Sequence, residues 1–112
     1  MRIETKSKNN GAILYLSGKV IGDGVPQLKQ TIEERINSGA NWLMIDLAEV
    51  PLMDSSALGT IIAAFLKLRE RNGKLVLLNA RENILDVLAI TKLDSLFEVY
   101  DDMQVALESI GS

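Results

Sequence analysis

Three consecutive polar residues, Asp54, Ser55 and Ser56, lie between two apolar segments and are the strongest candidates for chemistry in the chain. A serine at the start of a helix can carry a phosphate, because the exposed amides and the helix dipole favour negative charge there. Asp and Ser are also preferred N-caps, which accept hydrogen bonds from the first helical turn. The residue types therefore allow both a structural cap and a covalent switch, and they do not choose between the two serines.

A cap alone explains only part of this cluster. None of the three residues is followed three positions later by Glu or Gln, so there is no reciprocal capping box. One residue suffices as a cap, and three are present. A phosphate on either serine would be repelled by the Asp54 carboxylate, which would change the local surface charge without refolding the domain.

The composition excludes several classes of function. The 112 residues include no His and no Cys, so a Ser-His-Asp triad, a histidine-ligated metal, a thiolate nucleophile and a disulfide are all absent. A nucleophilic Ser55 would lack an activating base, and no Ser-x-x-Lys pattern surrounds it. We therefore predict that the protein is not an enzyme and that it uses neither a cofactor nor a metal.

Charge and hydropathy limit the kinds of partner and the cellular location that we expect. The net charge is −3, the chain has no basic block, and its aromatic residues are one Trp, two Tyr and two Phe, so we do not expect nucleic acid as a partner. No apolar run reaches the ~20 residues of a membrane span, and the first residues do not resemble a secretory signal. We expect one cytoplasmic domain over residues 1–112, without direct membrane insertion, as a monomer or a weak dimer.

Hydrophobic periodicity predicts an α/β domain with the order ββαβαβαβα. Two β-favouring runs around the turn Asn9-Asn10-Gly11 predict an antiparallel hairpin. Residues 41–47 and 74–80 are nearly continuous apolar runs, typical of parallel strands covered on both faces. The remaining predicted elements are helices over residues 25–39, 57–71, 82–90 and 102–110 and a short strand over residues 96–101. We expect a small mixed sheet flanked by helices, with parallel crossovers.

The polar cluster follows a predicted buried strand and precedes a helix, which is where ligands and chemistry collect in α/β sheets. Its sequence "LMDSSALG", with "NWLMIDLAEV" before it and "NGKLVLLNA" after it, resembles the STAS-domain anti-sigma-factor antagonists of bacteria. The resemblance covers essentially the whole chain, including "ILDVLAITKLDSLFEVYDD" near its end. The family implies a single STAS-type domain with the element order predicted above.

The resemblance also implies a partner-switching function. In this family the unphosphorylated protein binds an anti-sigma factor that is also a serine kinase, and thereby releases a sigma factor that regulates transcription. Phosphorylation of the serine after the motif Asp ends that binding, and a serine phosphatase restores it. Carried over by position, the phosphorylated residue is Ser55. The implied neighbours and partner contacts are Asp54, Ser56, Asp23, Met53, Ala57 and Gly59.

Some roles stay open. STAS-like domains also serve as accessory subunits of bacterial lipid-transport ABC complexes, which is our alternative function. Asp23 lies two residues later than the family pattern, so we interpret it as a surface-loop carboxylate, and Ala57 replaces a glycine common in the family. We interpret Gly59 as a glycine required by close packing. Residues 51–53 fit either an exposed apolar docking surface or ordinary loop packing.

Overall fold

The structure, a computed structural model, describes residues 1–110 as an α/β domain. In this part of the chain the strands are β1 (Arg2–Lys8), β2 (Gly11–Ser17), β3 (Trp42–Glu49), β4 (Lys74–Leu78) and β5 (Glu98–Tyr100). The helices are α1 (Val25–Asn37), α2 (Ser55–Glu70), α3 (Glu82–Ile90) and α4 (Met103–Ser109). The predicted order ββαβαβαβα and the predicted fold class are confirmed.

The strands form one mixed sheet in the order β1-β2-β3-β4-β5. β1 and β2 are antiparallel, and each later strand is parallel to its neighbour. Asn9 and Asn10 join the hairpin with φ values of 40° and 68°, as a tight two-residue turn requires. The residue after this turn is Gly11, and a larger residue does not fit there because a Cβ would overlap the indole of Trp42. Turn chemistry and local packing therefore agree with the predicted hairpin.

Both faces of the central strands are covered, which explains their continuous apolar sequences. Helices α1, α2 and α3 pack on one face and α4 packs on the other. The larger cluster includes Leu14, Leu16, Leu28, Ile32, Leu43, Ile45, Leu47, Ile61, Leu68, Leu75 and Leu77. The smaller cluster consists of Ile13, Trp42, Met44, Val76, Leu78 and Ala106. The two clusters hold the sheet rigidly beneath the loops at its carboxyl edge.

Element boundaries differ from the sequence predictions by one or two residues in several places. β3 extends two residues beyond its predicted end, because Glu49 pairs with Ser17 after an irregularity in the β2–β3 register. β5 begins two residues later than predicted, because the turn that starts at residues 93–95 continues to Phe97, whose amide donates to the Leu93 carbonyl at 3.1 Å. α2 begins at Ser55, two residues earlier than predicted, so both serines of the motif lie in its first turn.

The helices are short and amphipathic in keeping with their positions on a sheet. Among residues 1–110, no helix combines the length and the apolar content that crossing a bilayer requires. α1 and α2 lie side by side on the same face of the sheet. Arg71, just after α2, donates hydrogen bonds from its Nη1 to the carbonyls of Ile36 and Ala40 at 3.1 and 3.4 Å. This arginine therefore caps the C-terminal end of α1 and fixes the two helices relative to each other.

Candidate functional site

Asp54 is the N-cap of α2. Its backbone is extended, and its Oδ1 accepts hydrogen bonds from the Ala57 amide at 2.9 Å and from the Ser56 hydroxyl at 2.7 Å. The first turn of the helix is thus held by one carboxylate oxygen. The structural role predicted for the motif belongs to Asp54.

The second carboxylate oxygen of Asp54 binds a different loop. Oδ2 accepts a hydrogen bond from the Gly22 amide at 3.0 Å. Val20 reinforces this junction, because its amide donates to the Leu52 carbonyl at 2.9 Å and its carbonyl accepts from the Asp54 amide at 3.2 Å. The loop before α1 and the loop before α2 are therefore joined into one surface at the carboxyl edge of the sheet.

These hydrogen bonds lower the pKa of Asp54. The Gly22 amide makes the largest contribution, followed by the hydroxyl of Ser56 and the amide of Ala57, and slight desolvation opposes them. The carboxylate is therefore ionised at neutral pH, with donors on both oxygens. A carboxylate so occupied is poorly placed to take a proton from Ser55.

The two serines of the motif differ in their hydrogen bonding. Both side chains are exposed. The Ser56 hydroxyl donates to Asp54, whereas the Ser55 hydroxyl forms no hydrogen bond with any group in residues 1–110. Ser55 therefore presents an accessible hydroxyl oxygen whose proton is not engaged, a distinction that the sequence does not contain.

Asp23 lies on the same edge as the motif. It is exposed in a 3₁₀ turn over Gly22–Gly24, next to the glycine that binds Asp54. Its side chain accepts no hydrogen bond from the described part of the chain, which agrees with its interpretation as a surface carboxylate. The structure brings Asp23 and the α2 N-terminus to one surface in spite of the shifted sequence position.

Two of the implied partner contacts are buried. Met53 is 9% exposed and Ala57 is 0% exposed, and both belong to the main core cluster. Their side chains support the motif from below. The prediction that the Met53 and Ala57 side chains contact a partner is therefore wrong, because both are buried. Leu52 is 45% exposed and Pro51 is also exposed, so the surface part of the 51–53 segment is limited to these two residues.

The packing interpretation of Gly59 is wrong. The residue is exposed on α2, and a Cβ added there would meet no atom within 4 Å. The reason is its direction, since it faces the open groove between α1 and α2 instead of the sheet. No packing contact in the described structure requires a glycine at this position.

Sequence reasoning missed the residues that fix the loop between β3 and α2 from its other side. Arg81 donates from Nε to the Ala48 carbonyl at 3.1 Å, and Asn83 donates from Nδ2 to the Pro51 carbonyl at 2.6 Å. These side chains lie at the start of α3, about thirty residues away in sequence, and no local pattern signals such contacts. The loop between β3 and α2 is therefore held by the Gly22 loop on one side and by α3 on the other.

The arrangement offers limited chemistry of its own. It combines one free hydroxyl, one saturated carboxylate and a helix N-terminus. Across residues 1–110, no three Asp or Glu side chains are grouped so that they could hold a metal ion. The site therefore presents an exposed hydroxyl next to a carboxylate whose two oxygens already accept hydrogen bonds.

Comparison with known proteins identifies the family. Residues 2–106 match the STAS domain. An anti-sigma-B factor antagonist from Listeria monocytogenes is 32% identical over 98 residues, which cover 87% of this chain and 86% of the relative. The chain therefore belongs to the STAS-domain family, whose members include anti-sigma-factor antagonists.

Solved structures show the same fold. The crystal structure of an anti-sigma factor antagonist from Mycobacterium paratuberculosis has a TM-score of 0.88 at 22% identity, with 99% of this chain and 94% of that chain covered. The Bacillus cell fate determinant SpoIIAA in its phosphorylated form has a TM-score of 0.79 at 19% identity, with coverage of 97% and 99%. At these identities, the two comparisons establish the fold alone.

Proposed function

We propose that this protein is an anti-sigma-factor antagonist that binds a serine-kinase anti-sigma factor and is switched off by phosphorylation of Ser55. The observation that carries the proposal is the free, exposed hydroxyl of Ser55 beside the hydrogen-bonded Asp54. Support comes from the Listeria relative, which is named an anti-sigma-B factor antagonist, and from the Bacillus neighbour, which was solved in a phosphorylated form. The protein acts by binding and not by catalysis.

The phosphorylation step uses ATP as the donor. The Ser55 oxygen bonds to the γ-phosphorus, the bond from that phosphorus to the β,γ-bridging oxygen breaks, and ADP leaves. The serine proton passes to a base of the kinase, because both oxygens of Asp54 already accept hydrogen bonds. The kinase thus supplies the bound ATP and the base, and this chain supplies the hydroxyl.

The phosphate changes the charge of the binding surface. A phosphoserine carries a charge of about −1.5 to −2, which the N-terminal end of α2 tolerates and the Asp54 carboxylate opposes. The core under the motif is formed by buried residues such as Met53 and Ala57, so the new charge acts at the surface. A partner that fits the unphosphorylated surface then meets a dianion, and a serine phosphatase reverses the change.

The direct test is phosphorylation by the serine kinase of the anti-sigma-factor class encoded in the same genome. Purified wild-type protein, Ser55→Ala and Ser56→Ala are incubated with the kinase and ATP, and intact mass is measured. Wild-type protein and Ser56→Ala should each gain one phosphate, and Ser55→Ala should gain none. Equal labelling of Ser55→Ala and wild-type protein would overturn the assignment of the acceptor.

A further inference from the structure

A groove of about 260 Å³ runs between α1 and α2, on the outer surface of the domain. Its floor is apolar, because Ile32, Ile36 and Ala64 lie there with only their outermost atoms accessible. Gly59 and Ala63 form the wall on α2, and both are exposed. The groove is thus an apolar surface left uncovered between two helices that already pack on the sheet.

We propose that this groove binds an acidic amphipathic helix of the kinase partner and so docks the kinase beside Ser55. The inference rests on the proposed function and adds the surface and the chemistry of recognition. Three features carry it: the charges on the rim, the shape of the groove, and its continuity with the phosphorylation motif.

The rim of the groove carries excess positive charge. Lys29 extends from α1 and Lys67 from α2, whereas Glu33 is the one acidic residue in the lining. Neither lysine forms an ion pair within residues 1–110. The chain as a whole has a net charge of −3, so this local positive surface is opposite in sign to the protein around it. Such a surface attracts and orients a negatively charged partner segment.

The shape of the groove suits side chains of a partner protein. The groove has a volume of about 260 Å³ and is open along the surface between two helices. An amphipathic helix places large apolar side chains into such a groove at a spacing of three and four residues. Gly59 has no side chain to keep a partner backbone away, which explains why a glycine is useful there in spite of its cost in a helix.

The groove is continuous with the phosphorylation motif. Ser56 contributes to its lining and directly follows Ser55 in the first turn of α2. A helix seated between α1 and α2 therefore holds its protein next to the Ser55 hydroxyl. Docking at this distance raises the effective concentration of the kinase active site at the acceptor.

The first experiment measures binding of the kinase to variants that fill or recharge the groove. Ala63→Leu projects a larger side chain into the groove from an exposed helical position, and Lys29→Glu/Lys67→Glu reverses the charge of the rim. Lys6→Glu/Lys8→Glu on exposed strand β1 is the matched control, because it makes the same charge change away from the groove. Circular dichroism and thermal unfolding verify that each variant is folded.

The expected result is that both groove variants weaken the kinase affinity by about tenfold or more, as loss of an interface hot spot does, while the β1 control changes it much less. Phosphorylation of Ser55 should persist at high kinase concentration. Wild-type affinity in both groove variants overturns the docking proposal and leaves the proposed function intact. Absence of Ser55 phosphorylation in the wild-type protein overturns the proposed function and the docking proposal together.

The second experiment identifies the occupant. The chain has no cysteine, so Gly59→Cys creates a single attachment site for a photoactivated cross-linker, and Val105→Cys on α4 is the control. Mass spectrometry of the Gly59→Cys product with the kinase should locate the cross-link in an acidic amphipathic helix. Cross-linking to a basic or non-helical kinase segment, to a second copy of this chain, or at the level seen with Val105→Cys contradicts the proposal.

Discussion

Asp54 Oδ2 accepts a 3.0 Å hydrogen bond from the backbone amide of Gly22, a residue 32 positions earlier in the chain. The same carboxylate caps α2 through its other oxygen. One side chain therefore sets the conformation of the proposed acceptor and attaches it to the loop that carries Asp23. Asp54 therefore holds two loops together, and it is also the neighbour of the proposed phosphoserine.

Removing this carboxylate should loosen both loops. In Asp54→Ala, the Gly22 and Ala57 amides lose their acceptor and the Ser56 hydroxyl is released. We expect a lower melting temperature and faster hydrogen exchange at the Gly22 and Ala57 amides. Asp23→Asn is the control, because Asp23 is exposed and its loss should leave exchange at these amides unchanged.

The lowered pKa of Asp54 predicts a specific dependence of stability on pH. Hydrogen bonds from Gly22, Ser56 and Ala57 keep the folded-state pKa below the ordinary value of 3.8, so folding favours the ionised form. The stabilisation is present above pH 3.8 and is lost as the pH falls through the lower folded-state pKa.

The test compares urea unfolding of wild-type protein and Asp54→Asn from neutral to acidic pH. The wild-type protein should be the more stable of the two at neutral pH, and the difference should shrink as Asp54 is protonated. A difference that stays constant through the acidic range would contradict the linkage.

Gly59 and Gly73 should respond in opposite ways to alanine. A Cβ at Gly59 meets open space in a helix, so Gly59→Ala should stabilise the fold by about 0.5–1 kcal/mol. A Cβ at Gly73 would lie 2.3 Å from the Asn41 carbonyl oxygen, so Gly73→Ala should destabilise the fold by about 1–3 kcal/mol. Denaturant unfolding measures both, and destabilisation by Gly59→Ala would show that the residue is packed.

Asn83 should control the order of the loop between β3 and α2. Its side-chain amide donates to the Pro51 carbonyl, and both groups are exposed, so Asn83→Ala should cost only about 0.5 kcal/mol in global stability. The larger effect should be local, with faster hydrogen exchange than in wild-type protein at the Val50 and Asp54 amides, which donate to the Leu47 and Val20 carbonyls. Unchanged exchange at these two amides would mean that the loop is held by its other contacts alone.

Local sequence patterns were sufficient to predict the fold. Continuous apolar runs identified β3 and β4, because strands covered on both faces have no polar side. The Asn9-Asn10-Gly11 turn identified the hairpin through its left-handed backbone conformations. The boundary of β3 was missed because it depends on pairing with Ser17, which lies about thirty residues away.

The site was predictable only in its location. A polar cluster between a buried strand and a helix was enough to place it at the carboxyl edge of the sheet. Ser55 and Ser56 differ because only the Ser56 hydroxyl donates a hydrogen bond to the Asp54 carboxylate. Residue types alone do not specify which serine makes this bond. The exposed position of Gly59 was missed because glycine occurs at both packed and exposed helical positions, and the residue type does not distinguish them.

The most direct test of the account is the affinity of the kinase for the unphosphorylated protein and for protein phosphorylated at Ser55, measured by calorimetry with a non-hydrolysable ATP analogue. Ser56→Ala, phosphorylated in the same way, is the control for the neighbouring hydroxyl. The account predicts that the phosphate weakens binding by about tenfold or more, because the added negative charge lies on the surface that the kinase binds. Equal affinity of the phosphorylated and unphosphorylated proteins would contradict it.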